Sequence, residues 1–152
     1  MLRNLITNTG KIADATYTAD VAMVRGMAVE KSSGEAVLPT ADTGEGLFFV
    51  DKEPIPTGLD TVRGEISDYD DAFEKIAAGD HVKLLKYYAG EEIATDQVTG
   101  TIAAGTYVVA GTDGKLKAAT TGNVAYAVSR GAYDDNGHAL TAIEFIEAHT
   151  VA

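Results

Sequence analysis

Three histidines, 23 acidic side chains and no cysteine are the stock from which this 152-residue chain could build a reactive site. His81, His138 and His149 lack the i, i+4 spacing by which a helix presents two imidazoles to one metal, and none belongs to a nucleophile motif. His81 lies in the alternating run Asp80-His-Val-Lys-Leu, opposite in facing to Val82, and reads as a surface residue. Acids gather at Asp68, Asp70, Asp71 and Glu74, where oxygen ligands could hold a hard divalent cation. The order of an EF-hand loop is missing there, and helix capping accounts for the same acids. Asp134-Asp135-Asn136 reads as a hairpin turn into Gly137. Paired carboxylates for glycoside hydrolysis carry no signal in so acidic a chain. No phosphate-cradling Gly-x-x-x-x-Gly-Lys-Ser/Thr and no Gly-x-Ser-x-Gly elbow occurs, and Gly44-Glu-Gly46 reads as a turn before Leu47. Tyr87-Tyr88 could stack on a sugar ring, against the plainer reading of a half-buried edge strand. The expectation is a protein that is not an enzyme and has no cofactor.

The elements that would position such residues are strands. Leu47-Phe-Phe-Val50, Val82-Lys-Leu-Leu85, Thr106-Tyr-Val-Val109, Val124-Ala-Tyr-Ala-Val128 and Ala142-Ile-Glu-Phe-Ile146 are short, mostly β-branched or aromatic, and bounded by turn residues. In the last, Ile143 and Phe145 share one face while Glu144 and Ile146 share the other. Ser33-Gly34, Ala89-Gly90, Asp113-Gly114 and Asn136-Gly137 supply turns between the runs. The spacing predicts a mainly β domain, a small β-barrel or β-sandwich with Gly-turn hairpins. One stretch departs from it: Ser67 to Gly79 opens on a capping Ser, places acids in its first turn and stops at Gly, which predicts a short helix near residues 68–78. At 152 residues a single domain suffices, with a core that needs no disulfide or metal.

The net charge of −11 and a pI near 4.5 disfavour nucleic acid and anionic membrane surfaces as partners. The start of the chain carries no signal-peptide core, and no window is long and apolar enough for a membrane span. Residues 1–20 differ from the rest. Leu2, Leu5, Ile6, Ile12 and Tyr17 lie among Asn, Thr and Ala without a sustained period, and Arg3 is one of the few basic residues there. An extended N-terminal arm followed by a single β domain over 21–152 is the expected division. Leu2, Arg3, Leu5, Ile6, Ile12 and Tyr17 are then candidates for partner contact by strand addition or apolar anchoring, and a frayed terminus is the competing reading.

The chain also echoes itself. Gly26-Met-Ala-Val leads through Ser33-Gly34 and an Ala/Thr stretch to Gly44 and Leu47-Phe-Phe-Val50. Gly105-Thr-Tyr-Val leads through Asp113-Gly114 to Gly122 and Val124-Ala-Tyr-Ala-Val128. Ile76-Ala-Ala-Gly79-Asp-His-Val82 is matched by Ile102-Ala-Ala-Gly105-Thr-Tyr-Val108. With its leading arm and the turns Ser-Ser-Gly34-Glu-Ala-Val and Thr-Asp-Gly114-Lys-Leu-Lys, the chain over residues 20–150 resembles the decoration (cement, head-stabilising) proteins of tailed-phage capsids. The resemblance implies a β-tulip-like domain on the outer surface of the virion, bound to the major capsid protein, with a homotrimer among the assemblies it allows. Its function would be to stabilise the assembled shell.

Overall fold

The computed structural model describes residues 1–7, 13–52 and 74–152, and these are mainly β. In chain order the strands are β1 (Leu2–Ile6), β2 (Ala13–Ala19), β3 (Met23–Val24), β4 (Ala28–Ser32), β5 (Glu35–Val37), β6 (Phe48–Asp51) and β7 (Lys75–Ile76). They continue with β8 (His81–Leu85), β9 (Glu92–Thr95), β10 (Tyr107–Ala110), β11 (Leu116–Ala118), β12 (Val124–Asp135) and β13 (His138–Thr150). Five of them close a barrel in the order β2-β5-β4-β6-β8. Six form a sheet in the order β1-β9-β13-β12-β10-β11, and β3 pairs with β7.

The burial of each strand explains its sequence. Val29, Val50, Val82 and Leu84 point into the barrel, where Met23, Met27 and Ile76 join them. Their neighbours Ala28, Phe49 and Leu85 point outward and pack with Leu2, Ile93, Val108, Ile143 and Phe145 of the six-stranded sheet. Strands β4, β6 and β8 are thus buried on both faces, so runs such as Leu47-Phe-Phe-Val50 carry no polar alternation. In the shared core Tyr87 stacks on Phe145 at 4.9 Å between ring centroids, and Phe49 meets both edge-on at 5.4 Å. Such aromatic pairs contribute about 0.5–1.5 kcal/mol each beyond their buried area.

The internal echo is present as topology. Hairpin β4–β5 is followed by β6, which pairs antiparallel with β4; hairpin β10–β11 is followed by β12, which pairs antiparallel with β10. The hydrogen bonds repeat too. Gly26 N donates to Val50 O and Val50 N to Met27 O at 2.8 and 2.9 Å; Gly105 N donates to Ser129 O and Ser129 N to Thr106 O, both at 2.8 Å. Each unit begins on a β-turn closed from its fourth residue to its first, Met27 N to Val24 O and Thr106 N to Ala103 O. Asp80 N to Ala77 O closes a third copy ahead of β8. The glycines in these turns have φ of +96°, +82° and +85°, the value a type II turn needs at its third residue.

Two expectations meet a different outcome. Residues 68–73 of the expected helix lie outside the described residues; Glu74 is helical, and strand β7 follows it at once, so the helix ends sooner than its spacing predicts. Lys75–Ile76 pairs with Met23–Val24, and Ile76, 3% exposed, fills the barrel. Burial of that side chain and the type II turn at Ala77–Asp80 override the helical spacing. The N-terminal segment is extended, yet it is woven into the fold: β1 pairs with β9, and β2 closes the barrel against β5 and β8.

Candidate functional site

Two places gather polar chemistry. The first surrounds the amino terminus. Met1 is fully buried, and its ammonium lies 2.6 Å from both Glu74 Oε2 and Asp96 Oδ1 while donating to Arg25 O at 3.0 Å. Arg25 Nε in turn donates to Asp51 Oδ1 at 2.7 Å, and Lys83 Nζ stands 3.8 Å from Asp51 Oδ2. Burial pushes the Glu74 carboxyl above its usual range, and the ammonium of Met1 opposes that shift. The network balances three carboxylates against three cations and ties β1, β6, β8 and β9 together. Its geometry is that of a brace, in which Glu74 Oε1 is buried with no hydrogen-bond partner among the described residues and the Arg25 guanidinium stands 4.0 Å from it.

The second is a cleft of about 350 Å³. Its floor is the ring cluster Phe49, Tyr87 and Phe145. One wall is the loop Gly44–Leu47, held so close to β12 that a side chain at Gly44 would stand 2.7 Å from Val124 O. A second wall is Lys86–Ala89, where Glu91 Oε2 accepts from Tyr88 N at 2.7 Å and fixes the turn. The third is a bulge between β12 and β13. Register shifts between Ala125↔His149 and Ala127↔Phe145, and of the four residues so displaced Tyr126, Ile146 and Glu147 line the cleft. Lys86 Nζ donates to Leu47 O at 2.9 Å and sits 5.0 Å from the Phe48 ring. Burial, then the neighbouring Lys31, lower its pKa.

The residues expected at a partner-binding arm do not form one surface. Leu2 is 2% exposed in the shared core, and Leu5 packs half-buried beside Met1, Ala94 and Leu140. Arg3 Nε is paired with Asp135 Oδ2 at 2.6 Å. Tyr17 packs on the barrel core with Lys31 Nζ 4.8 Å above its ring. Ile12 lies outside the described residues. Of the five that are described, Ile6 alone is a large exposed apolar side chain, at 52%.

Among the other candidates, His81 is exposed and His149 stacks on Tyr107 at 4.1 Å. Asp134 Oδ2 accepts from Gly137 N at 3.1 Å and so serves the hairpin turn, while Asp135 is engaged by Arg3. Among the described residues no group of three or more His, Asp or Glu side chains is placed to hold a metal ion. Tyr87 and Tyr88 part company: the first is buried, its hydroxyl donating to Asn4 Oδ1 at 2.6 Å, and the second is 51% exposed at the cleft. Sequence reasoning reached the cleft only through that pair. Comparison with protein-family models, curated proteins and solved structures finds no match to this chain.

Proposed function

We propose that this chain is a structural, non-enzymatic virion protein that binds the outer surface of an assembled phage capsid and stabilises it. One observation supports the reading beside the resemblance of its turn grammar: the outer face of the barrel and the six-stranded sheet bury a common core, which would make the described residues one stiff body. A stiff body that bridges neighbouring shell subunits resists their separation, because strain cannot be absorbed by a hinge within it. A docking area of about 800 Å² per side would suffice at each site, and repetition over the shell, or a homotrimer, multiplies modest contacts. The net charge of −11 would keep decorated particles apart in solution.

The second reading is a β-rich binding module from a tail or surface structure, recognising carbohydrate or a receptor, and the exposed Tyr88 at the cleft favours it. Quantitative mass spectrometry of particle and soluble fractions from the source separates the two. Hundreds of copies per sedimenting particle support decoration of the capsid surface. A few copies per particle support the tail component, and a chain confined to the soluble fraction defeats both virion readings.

A further inference from the structure

The cleft has a composition that selects its ligand, and the selection does not depend on the capsid reading. Its volume of about 350 Å³ suits a small molecule rather than a water cluster, since ligand pockets run from ~300 Å³ upward. The floor is apolar and aromatic, and two further rings, Tyr88 and Tyr126, stand in its walls. Ring faces are negative and attract cations, most strongly where water is excluded. Two exposed carboxylates, Glu45 and Glu147, complete the lining, one from the Gly44–Leu47 loop and one from the bulge.

Lys86 is the one basic residue in the lining. Its ammonium is engaged by Leu47 O at 2.9 Å and lies over Phe48, which does not line the cleft; what it offers the cleft is its aliphatic stem. A neutral sugar could use the carboxylates and tyrosine hydroxyls but brings no charge to them, and the lining has no Asn, Gln, Ser, Thr or His to add side-chain amide, hydroxyl or imidazole partners. We propose that the cleft binds a small organic cation, a quaternary or alkyl ammonium group borne on an apolar body. The body would lie on the Phe49–Tyr87–Phe145 floor, with the charged end between Tyr88, Tyr126 and the two carboxylates.

The test is amide chemical-shift titration of the full chain with benzyltrimethylammonium, benzenesulfonate and methyl glucoside in parallel, at about 150 mM salt to screen diffuse attraction to an acidic protein. Saturable shifts confined to residues 44–47, 86–89 and 145–147, at least about tenfold tighter for the cation than for the sulfonate, are expected. The exposed pair E45Q/E147Q, which leaves the core untouched, should bring the two affinities within about threefold. Y88A should weaken the cation about fivefold. Equal response to the sulfonate, shifts scattered over the surface, or saturation by methyl glucoside instead would overturn the proposal. None of these outcomes bears on sedimentation with capsids, so the two readings fail separately.

Discussion

Gly26 and Gly34 both hold left-handed backbone, φ +96° and +88°, but they answer to different constraints. A Cβ on Gly26 would stand 2.5 Å from Thr95 Oγ1 and 2.8 Å from Met1 O, whereas one on Gly34 would meet nothing within 4 Å. Gly34→Ala should therefore lose only the conformational term, about 1 kcal/mol, while Gly26→Ala adds a steric clash against backbone and should lose about 3 kcal/mol or more. Urea midpoints of the two variants check the ordering. The charges make a second residue-scale prediction. Burial raises the Glu74 carboxyl above its usual 4.5, so its contribution to stability is complete below pH 4.5 and is lost as pH climbs through the folded value. Asp14 is the opposite case. Hydrogen bonds, first from Lys31 and then from Thr16, pull its carboxyl down to about 2 from 3.8, so its contribution is present above pH 3.8 and is lost as pH falls through about 2. Glu74→Gln keeps the side chain neutral at every pH and should flatten the decline above pH 4.5, costing least at high pH, where the ionised carboxylate is the disfavoured form. Asp14→Asn should flatten the acid limb between pH 3.8 and about 2 instead. A series of urea midpoints against pH distinguishes them.

At the scale of elements, β1 is the segment whose role changes most between sequence and structure. An arm preceding a self-sufficient β domain over 21–152 would be removable with the fold intact. In the structure β1 supplies an edge of the six-stranded sheet, and Leu2 and Met1 fill cores on opposite faces of it. Leu2→Ala should lower stability by about 2–5 kcal/mol, and removal of residues 1–7 should leave the chain unfolded or aggregated by circular dichroism and size exclusion. A folded truncated chain would restore the free arm. The five quoted apolar runs were legible as strands because their own side chains fill the core, and Ser33-Gly34 and Asn136-Gly137 were legible as hairpins. Positive φ at both central residues, +48° and +88°, then +53° and +92°, is the type I′ geometry those pairs favour. Strand β2, Ala-Asp-Ala-Thr-Tyr-Thr-Ala, was not legible, since it holds its place by main-chain pairing with β5 and β8 more than by burial. Nor was β7, whose Ile76 suits a helix face as well as a barrel interior. The cleft escaped for a further reason. Glu45, Tyr88, Tyr126 and Glu147 come from four separate segments, and a bulge that no residue type announces turns two of them inward.

For the whole molecule the question is whether barrel and sheet are one cooperative unit or two packed halves. The barrel has its own interior of Val29, Val50, Val82 and Leu84, which could support independent melting. Against that, its outer face has no core of its own: Ala28, Phe49 and Leu85 are buried only by the sheet. Main-chain bonds cross the boundary as well. Ala28 N donates to Gly114 O at 2.8 Å, and Thr43 and Ala110 exchange a pair at 3.0 and 2.7 Å. Separating the halves would expose the ring cluster and these amides together, a loss that exceeds what the small barrel interior could sustain. The chain should therefore unfold in a single transition, with calorimetric and van't Hoff enthalpies equal and with far-ultraviolet and tyrosine near-ultraviolet signals coincident. Phe49→Ala sharpens the test, because Phe49 lies on the boundary. It should lower the one midpoint by an amount equal to about 3–5 kcal/mol and move both signals together. If the two signals moved apart, or a second transition emerged, the halves would be separable. The molecule would then contain a hinge, and the stiffness on which shell bridging depends would be gone.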